Sequence, residues 1–139
     1  MLFAAESAKG SVTAILGFRT SENAILLDEF ADVCETVIVT TDDGSLGIHG
    51  TVAGPLEGLL IKSEHSAVIA CGPRPMLSAV AEICKRHGVP CLVSLEERMG
   101  CGVGACVVCA CATKAADGAL QMSRVCKDGP VFNASDVVW

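Results

Sequence analysis

Gly100-Cys101-Gly102-Val103-Gly104-Ala105-Cys106-Val107-Val108-Cys109 is followed, after a gap of sixteen residues, by Cys126. The spacing Cys-x4-Cys-x2-Cys with a distant fourth cysteine is the plant-type pattern for a 2Fe–2S cluster. Two irons bridged by two sulfides ask for two thiolates each, and three of the four must come from one loop. Such a loop has to wrap tightly, with little side-chain bulk and much backbone freedom. Gly100, Gly102, Gly104 and Ala105 supply both. They also let backbone N–H groups approach the sulfurs, where hydrogen bonds tune a cluster's potential. Cys101, Cys106, Cys109 and Cys126 are therefore the candidate ligands. The alternative is a structural zinc site on the same four thiolates. Zinc sites pair two Cys-x2-Cys knuckles, and here only Cys106 and Cys109 make one. Cys111 lies two residues past Cys109 and reads as a spectator thiol, with substitution as a ligand the other possibility.

Outward from this loop, the chain has nine cysteines in 139 residues, five of them between Cys101 and Cys126. An odd count without an export signal favours metal or redox chemistry over disulfides. Cys34, Cys84 and Cys91 sit among apolar neighbours and read as small buried hydrophobes.

Upstream, short β-rich runs alternate with helical patterns, which implies βα units and a parallel sheet. The strands are expected at Val12–Phe18, Thr36–Thr41, Ala67–Ala70 and Pro90–Leu95. A helix is expected over Glu22–Cys34 with Ser21 as its N-cap, and a second from about Pro55 to Lys62. In the third, after Pro73, Met76, Leu77, Val80, Ile83 and Cys84 recur at helical spacing. Lys85, Arg86 and His87 follow in its last turn, with Gly88 as the stop. His87 thus reads as a partner of the helix dipole, not a catalyst. Ala116-Asp117-Gly118 looks like a hairpin turn between two short strands. The texture changes at Glu96, so the expected organisation is an α/β part over residues 1–95 and a cysteine-rich cluster domain over 96–139.

The chain is 51% apolar with a formal charge of −6. One packed core plus an appendage is the expected scale. The acidic balance and the lack of a Lys/Arg-rich run argue against nucleic acid as a partner. No apolar stretch approaches the roughly 20 residues of a membrane span, and Met1–Gly10 lacks the form of a secretory signal. A cytoplasmic protein is expected.

Ser94-Leu95-Glu96-Glu97-Arg98-Met99, running into the cysteine loop, resembles the cluster loop of the dihydroorotate dehydrogenase electron-transfer subunits. Arg124-Val125-Cys126-Lys127-Asp128-Gly129-Pro130-Val131-Phe132 resembles that family's fourth-ligand segment. Ile15-Leu16-Gly17-Phe18-Arg19, Thr41-Asp42-Asp43-Gly44-Ser45 and Ala70-Cys71-Gly72-Pro73-Arg74-Pro75-Met76-Leu77 are similar to the pyridine-nucleotide half of ferredoxin-reductase-like proteins. The resemblance implies an α/β fold: an incomplete ferredoxin-reductase-type nucleotide-binding domain followed by the small 2Fe–2S domain.

It also implies a route, in which NADH reduces FAD, single electrons pass through the cluster, and FMN in a partner catalytic subunit receives them. That partner interconverts dihydroorotate and orotate in pyrimidine biosynthesis. A flavin can exchange both one and two electrons, so it joins the two carriers. At the cluster itself no acid–base catalyst is required. By the same resemblance Cys71, Gly72 and Pro73 lie where the nicotinamide approaches the flavin, and the helix after them can face phosphate. A strand-to-helix turn without a ligand is the alternative. Asp42, Asp43, Gly44 and Ser45 border the cofactor near its adenosine end, unless they are an ordinary solvated turn.

Full-length members carry an N-terminal flavin-binding β-barrel, and their nucleotide domain opens with a strand and a Gly-rich phosphate turn. Neither is recognisable here, and Met1–Gly10 resembles the tail of the first helix. In the family's order the absent strand lies between Val12–Phe18 and Ala67–Ala70. Those edges are expected to pair directly, to receive a strand from another chain, or to leave the fold marginal. The expectation is an oxidoreductase component that is catalytically incomplete alone, with a separate FAD-binding chain as a further candidate partner. Readings from other classes are a zinc-stabilised or metal-free interaction module, a self-sufficient NADH-dependent reductase, and a cluster-bearing part of another ferredoxin-reductase-like oxidoreductase.

Overall fold

The computed structural model describes residues 1–62 and 65–139. The chain packs as two compact units, Met1–Lys62 and Ser63–Trp139. The expected cluster domain over 96–139 therefore shares a unit with the preceding βαβ segment.

In the first unit, α1 (Leu2–Ser7) leads into β1 (Thr13–Phe18), α2 (Leu27–Val33), β2 (Thr36–Thr41), β3 (Ile48–His49) and α3 (Ala53–Lys62). Strands β1, β2 and β3 form a parallel sheet in that order, with Thr13 opposite Thr36 and Phe18 opposite Thr41. Val12, Ala14 and Leu16 alternate onto one face, as strand geometry requires. With Val37 they pack on Phe30 and Cys34, and Leu2 and Ala5 of α1 complete this small core.

The helix expected over Glu22–Cys34 is shorter than its apolar pattern. Ser21–Asn23 forms a single 3₁₀ turn, Leu26 takes φ 58°, and α2 starts at Leu27 with no side-chain cap. Ser21 is thus not the N-cap of α2; its N–H donates to Ser45 Oγ at 2.7 Å. Local hydrogen bonds compete with the helix here: Thr20 Oγ1 donates to Asn23 Oδ1, and the Ala24 N–H to the Ser21 carbonyl. A left-handed leucine then separates the two turns.

The second unit runs β4 (Val68–Cys71), α4 (Arg74–His87), β5 (Cys91–Ser94), β6 (Ala110–Lys114), β7 (Leu120–Arg124), α5 (Val125–Asp128) and β8 (Val131–Asn133). Strands β4 and β5 are parallel and joined by α4, a βαβ unit. Helix α4 ends as its sequence dictates, with Gly88 at φ 68° and its N–H on the Cys84 and Lys85 carbonyls. Strand β8 returns antiparallel to β5, pairing Ser94 with Val131 and Leu92 with Asn133. Sheet pairing therefore crosses residue 96. Strands β6 and β7 form the expected hairpin, tied at Ala115 and Ala119, with Asp117 Oδ1 accepting the Ala119 N–H at 2.9 Å.

Leu77 and Ala81 of α4, Val93 and Leu95, Cys109, Cys111, Val125, Ala134 and Val137 make one core. Fully burying a Leu or Val side chain stabilises by about 1.5–3 kcal/mol. The segments that carry the cysteines are thus anchored to the βαβ frame by Cys109, Cys111 and Val125. Strand β1 is a terminal strand of the first unit's sheet, and β4 is a terminal strand of the second unit's.

Candidate metal centre

The loop from Gly100 to Cys109 has no regular secondary structure, and three of its residues take positive φ: Gly102 at 69°, Gly104 at 82° and Val107 at 52°. A β-branched residue with positive φ is costly, about 1–3 kcal/mol, and persists only where its surroundings enforce it. Val107 lies between Cys106 and Cys109, and its carbonyl accepts the Ala110 N–H at the start of β6. The strained residue thereby turns the chain from the exposed Cys106 to the buried Cys109.

The four expected ligands stand as two pairs. Cys101 Sγ accepts the N–H groups of Ala105 at 3.2 Å and Cys106 at 3.4 Å, and interacts with the Cys106 thiol. Cys109 Sγ accepts the Cys126 N–H at 3.4 Å and interacts with the Cys126 thiol. The Val125 N–H donates to the Cys109 carbonyl, so two consecutive amides of the fourth-ligand segment bind Cys109.

These bonds set the thiol acidities. The N–H groups of Cys106 and Val103 lower Cys101 to about 6. The Cys126 N–H and thiol lower Cys109, whereas Cys126 is raised by its hydrogen bond to Cys109 and by burial. A hydrogen bond to the thiolate favours the charged form, which is the form that binds metal.

Among the described residues no three His, Cys, Asp or Glu side chains are arranged to hold a single metal ion. Two thiol pairs with amides aimed at sulfur fit a two-iron centre, in which each iron takes two thiolates. The donor set itself is all sulfur.

Cys111 points elsewhere. It lies in β6 within the core of the second unit, and burial raises its thiol. Cys109 is equally buried, so burial does not separate them; the hydrogen bond that Cys109 Sγ accepts from the Cys126 N–H does. Cys34 and Cys84 are buried as expected, and Cys91 is half-buried, hydrogen-bonds the Cys84 thiol and is pushed by burial to about 12.

Cys71 ends β4, and its Sγ lies 3.6 Å from Glu96 Oε1. Gly72 and Pro73 form the turn into α4, in the same unit as the four cysteines. Asp43, Gly44 and Ser45 are in the first unit. Asp43 Oδ1 accepts the Ser45 N–H at 3.0 Å and the Ser45 hydroxyl at 2.6 Å, which lowers the Asp43 carboxyl.

The sequence reading missed a clamp on the loop. Arg124 donates from Nη1 to the Gly104 carbonyl at 3.1 Å and from Nε to Asp128 Oδ2 at 3.2 Å. Asp128 also accepts the Arg124 N–H at 2.8 Å. The spacing of Arg124 and Asp128, four apart around Cys126, is the available sequence signal. The bond to Gly104 has none.

A parallel βα frame carrying a loop of paired thiols places the chain among iron–sulfur proteins of the ferredoxin-reductase-like fold. The NADH-dependent reduced ferredoxin-NADP oxidoreductase superposes with a TM-score of 0.79 at 31% identity, over 99% of this chain and 48% of that one. Residues 96–138 match the family model for the iron–sulfur cluster binding domain of dihydroorotate dehydrogenase B. The electron transfer subunit of dihydroorotate dehydrogenase B (NAD(+)) from Caldanaerobacter subterraneus subsp. tengcongensis is 41% identical, over 100% of this chain and 54% of the relative. The corresponding subunit from Bacillus caldolyticus is 46% identical over 91% of this chain and 47% of its own length. The chain is thus similar along its length to dihydroorotate dehydrogenase B electron transfer subunits, with residues 96–138 matching their cluster-binding domain. It spans about half the length of the relatives it matches.

Proposed function

We propose that this chain is the cluster-holding part of an electron-transfer subunit. It would serve a flavin-containing dihydroorotate dehydrogenase catalytic subunit in pyrimidine biosynthesis, in the cytoplasm. Cys101 and Cys106 would ligate one iron, Cys109 and Cys126 the other. A bound 2Fe–2S centre supplies one-electron transfer between a two-electron donor and a flavin acceptor.

The observation that carries this reading is the pairing of the four thiols, each pair bound by backbone N–H groups. Those amides favour the thiolate before any metal arrives and stabilise negative charge on sulfur afterwards. Burial of Cys109 against the core fixes one side of the site, while Cys101 and Cys106 stay at the surface, where electrons can enter or leave. Among the described residues no helix is long and apolar enough to cross a membrane.

The nucleotide contacts belong to the same proposal. Cys71, Gly72 and Pro73 would meet the nicotinamide where it approaches FAD, with Glu96 beside the Cys71 thiol. Asp43, Gly44 and Ser45 would border the NAD adenosine end. FAD would be retained chiefly by parts of the protein outside this chain or by a separate FAD-binding chain.

A visible and electron paramagnetic resonance spectrum of anaerobically purified protein, before and after dithionite, tests the reading. A 2Fe–2S signal that appears on reduction supports it. A colourless sample that stays silent after reconstitution with iron and sulfide, or that holds stoichiometric zinc, sinks it.

A further inference from the structure

The Gly104–Ala105 peptide is bound at both ends. Its carbonyl accepts Arg124 Nη1 at 3.1 Å, and its N–H, on Ala105, donates to Cys101 Sγ at 3.2 Å. A guanidinium, one amide and a ligand sulfur therefore form a single hydrogen-bonded chain. Asp128 fixes the guanidinium from the other side through Nε and Nη2, at 3.2 and 3.4 Å. The Arg124 and Asp128 side chains are about one-third exposed, so the chain is partly shielded from water.

Hydrogen bonds in series polarise one another. A cation on the carbonyl makes the amide N–H a stronger donor, and a stronger N–H···S bond favours the more negative sulfur of a reduced cluster. The geometry points to Arg124 as a positioning residue. Held by Asp128, it orients and polarises the Gly104–Ala105 peptide toward Cys101 and so raises the reduction potential of the centre. This rests on the cluster reading proposed above, but the clamp itself exists in the metal-free chain and can be tested there.

Arg124→Gln and Asp128→Ala separate the clamp from simple charge. Loss of the Arg124 charge lowers a potential by Coulomb's law, and loss of the Asp128 charge raises it. If the clamp acts through the peptide, both variants move the potential the same way, downward. The expected change is about tenfold in the reduction equilibrium, about 59 mV for one electron. Arg124→Lys keeps the charge without the fork and should recover only part of the shift.

The experiment has two arms on the full chain. In metal-free protein, amide exchange of Ala105 is compared with that of Thr113 in the hairpin. Both Arg124→Gln and Asp128→Ala should speed Ala105 exchange about tenfold, the loss of one charge-assisted hydrogen bond, with Thr113 unchanged. Unchanged Ala105 protection overturns the clamp. In reconstituted protein, the midpoint potentials of wild type and the three variants are read by dithionite titration. Opposite shifts for the two variants, or a wild-type potential in Arg124→Lys, overturn the tuning role. Failure of a variant to hold a cluster that wild type holds, with Thr113 still protected, counts for positioning. If wild type itself takes up no cluster, the functional reading falls together with the tuning role, and the exchange arm alone decides the clamp.

Discussion

The backbone N–H of Cys126 donates to the sulfur of Cys109 at 3.4 Å, across seventeen residues of chain. Between the two lies the β6–β7 hairpin, which leaves the cysteine loop and returns the chain beside it. The hairpin's register, Ala110 opposite Arg124, sets that distance. A one-residue slip would turn every side chain of one strand to the other face. The Cys109–Cys126 thiol pair therefore depends on strand pairing as much as on the cysteines.

Cys126→Ser should lose most of its iron and acid-labile sulfide after reconstitution, and Cys111→Ser should keep both. The cost of Cys111→Ser is in stability, because a hydroxyl replaces a thiol in the core; about 1–3 kcal/mol is expected if it finds no partner. Iron and sulfide content together with a denaturant melt decide this. Equal retention would remove Cys126 from the ligand set.

In the metal-free chain, Cys101 is the thiol lowered to about 6 by the N–H groups of Cys106 and Val103, against an ordinary value of 9.0. A folded-state value below the unfolded one contributes stability that is full above pH 9 and declines as pH falls toward 6, where it is lost. Iodoacetamide at pH 7 should label Cys101 ahead of buried Cys84 and Cys111 and half-buried Cys91, whose thiols burial raises. Peptide mapping after a short pulse checks the order.

Gly104→Ala should impair cluster retention more than Gly102→Ala. Both positions have positive φ, which costs an alanine about 1–2 kcal/mol. Only at Gly104 would the new Cβ meet Lys127, 2.8 Å from Cδ and 3.1 Å from Cβ, whereas at Gly102 nothing lies within 4 Å. Lys127 Cδ can swing aside, but its Cβ is fixed to the segment that carries Cys126. Equal cluster retention in the two variants would contradict this account.

Val107→Asn should stabilise the metal-free chain by relieving strain. Asparagine tolerates the left-handed region that valine resists, and the exposed Val107 side chain contributes little burial. A gain of about 1 kcal/mol in a urea melt is expected. A loss would mean that the valine makes a contact worth more than its backbone strain.

Much of the fold was legible because it rests on local rules. Helix α4 follows from the apolar spacing of Met76, Leu77, Val80, Ile83 and Cys84 and from Gly88 as its stop. The four long parallel strands fall within a residue or two of their β-rich runs. The helix expected from Glu22 was misread because its apolar residues share a period that local hydrogen bonds around Thr20, Ser21 and Asn23 override. The role of β8 was invisible: three residues carry no pattern, and their pairing with β5 joins the cysteine-rich segment to the βαβ frame.

The sequence by itself singled out Cys101, Cys106, Cys109 and Cys126 as candidate ligands and left Cys111 open as a substitute, because ligand spacing is a covalent property of the chain. It also determined the βα alternation and the helix stop, because side-chain periodicity and a single glycine suffice for these. Only the tertiary structure decided that the thiols pair as Cys101 with Cys106 and Cys109 with Cys126. It alone set Cys111 apart from the two thiol pairs and placed Arg124 on the Gly104 carbonyl. Each of these depends on two segments meeting through hairpin register and core packing, and residues distant in the chain leave no mark of that meeting in their local sequence.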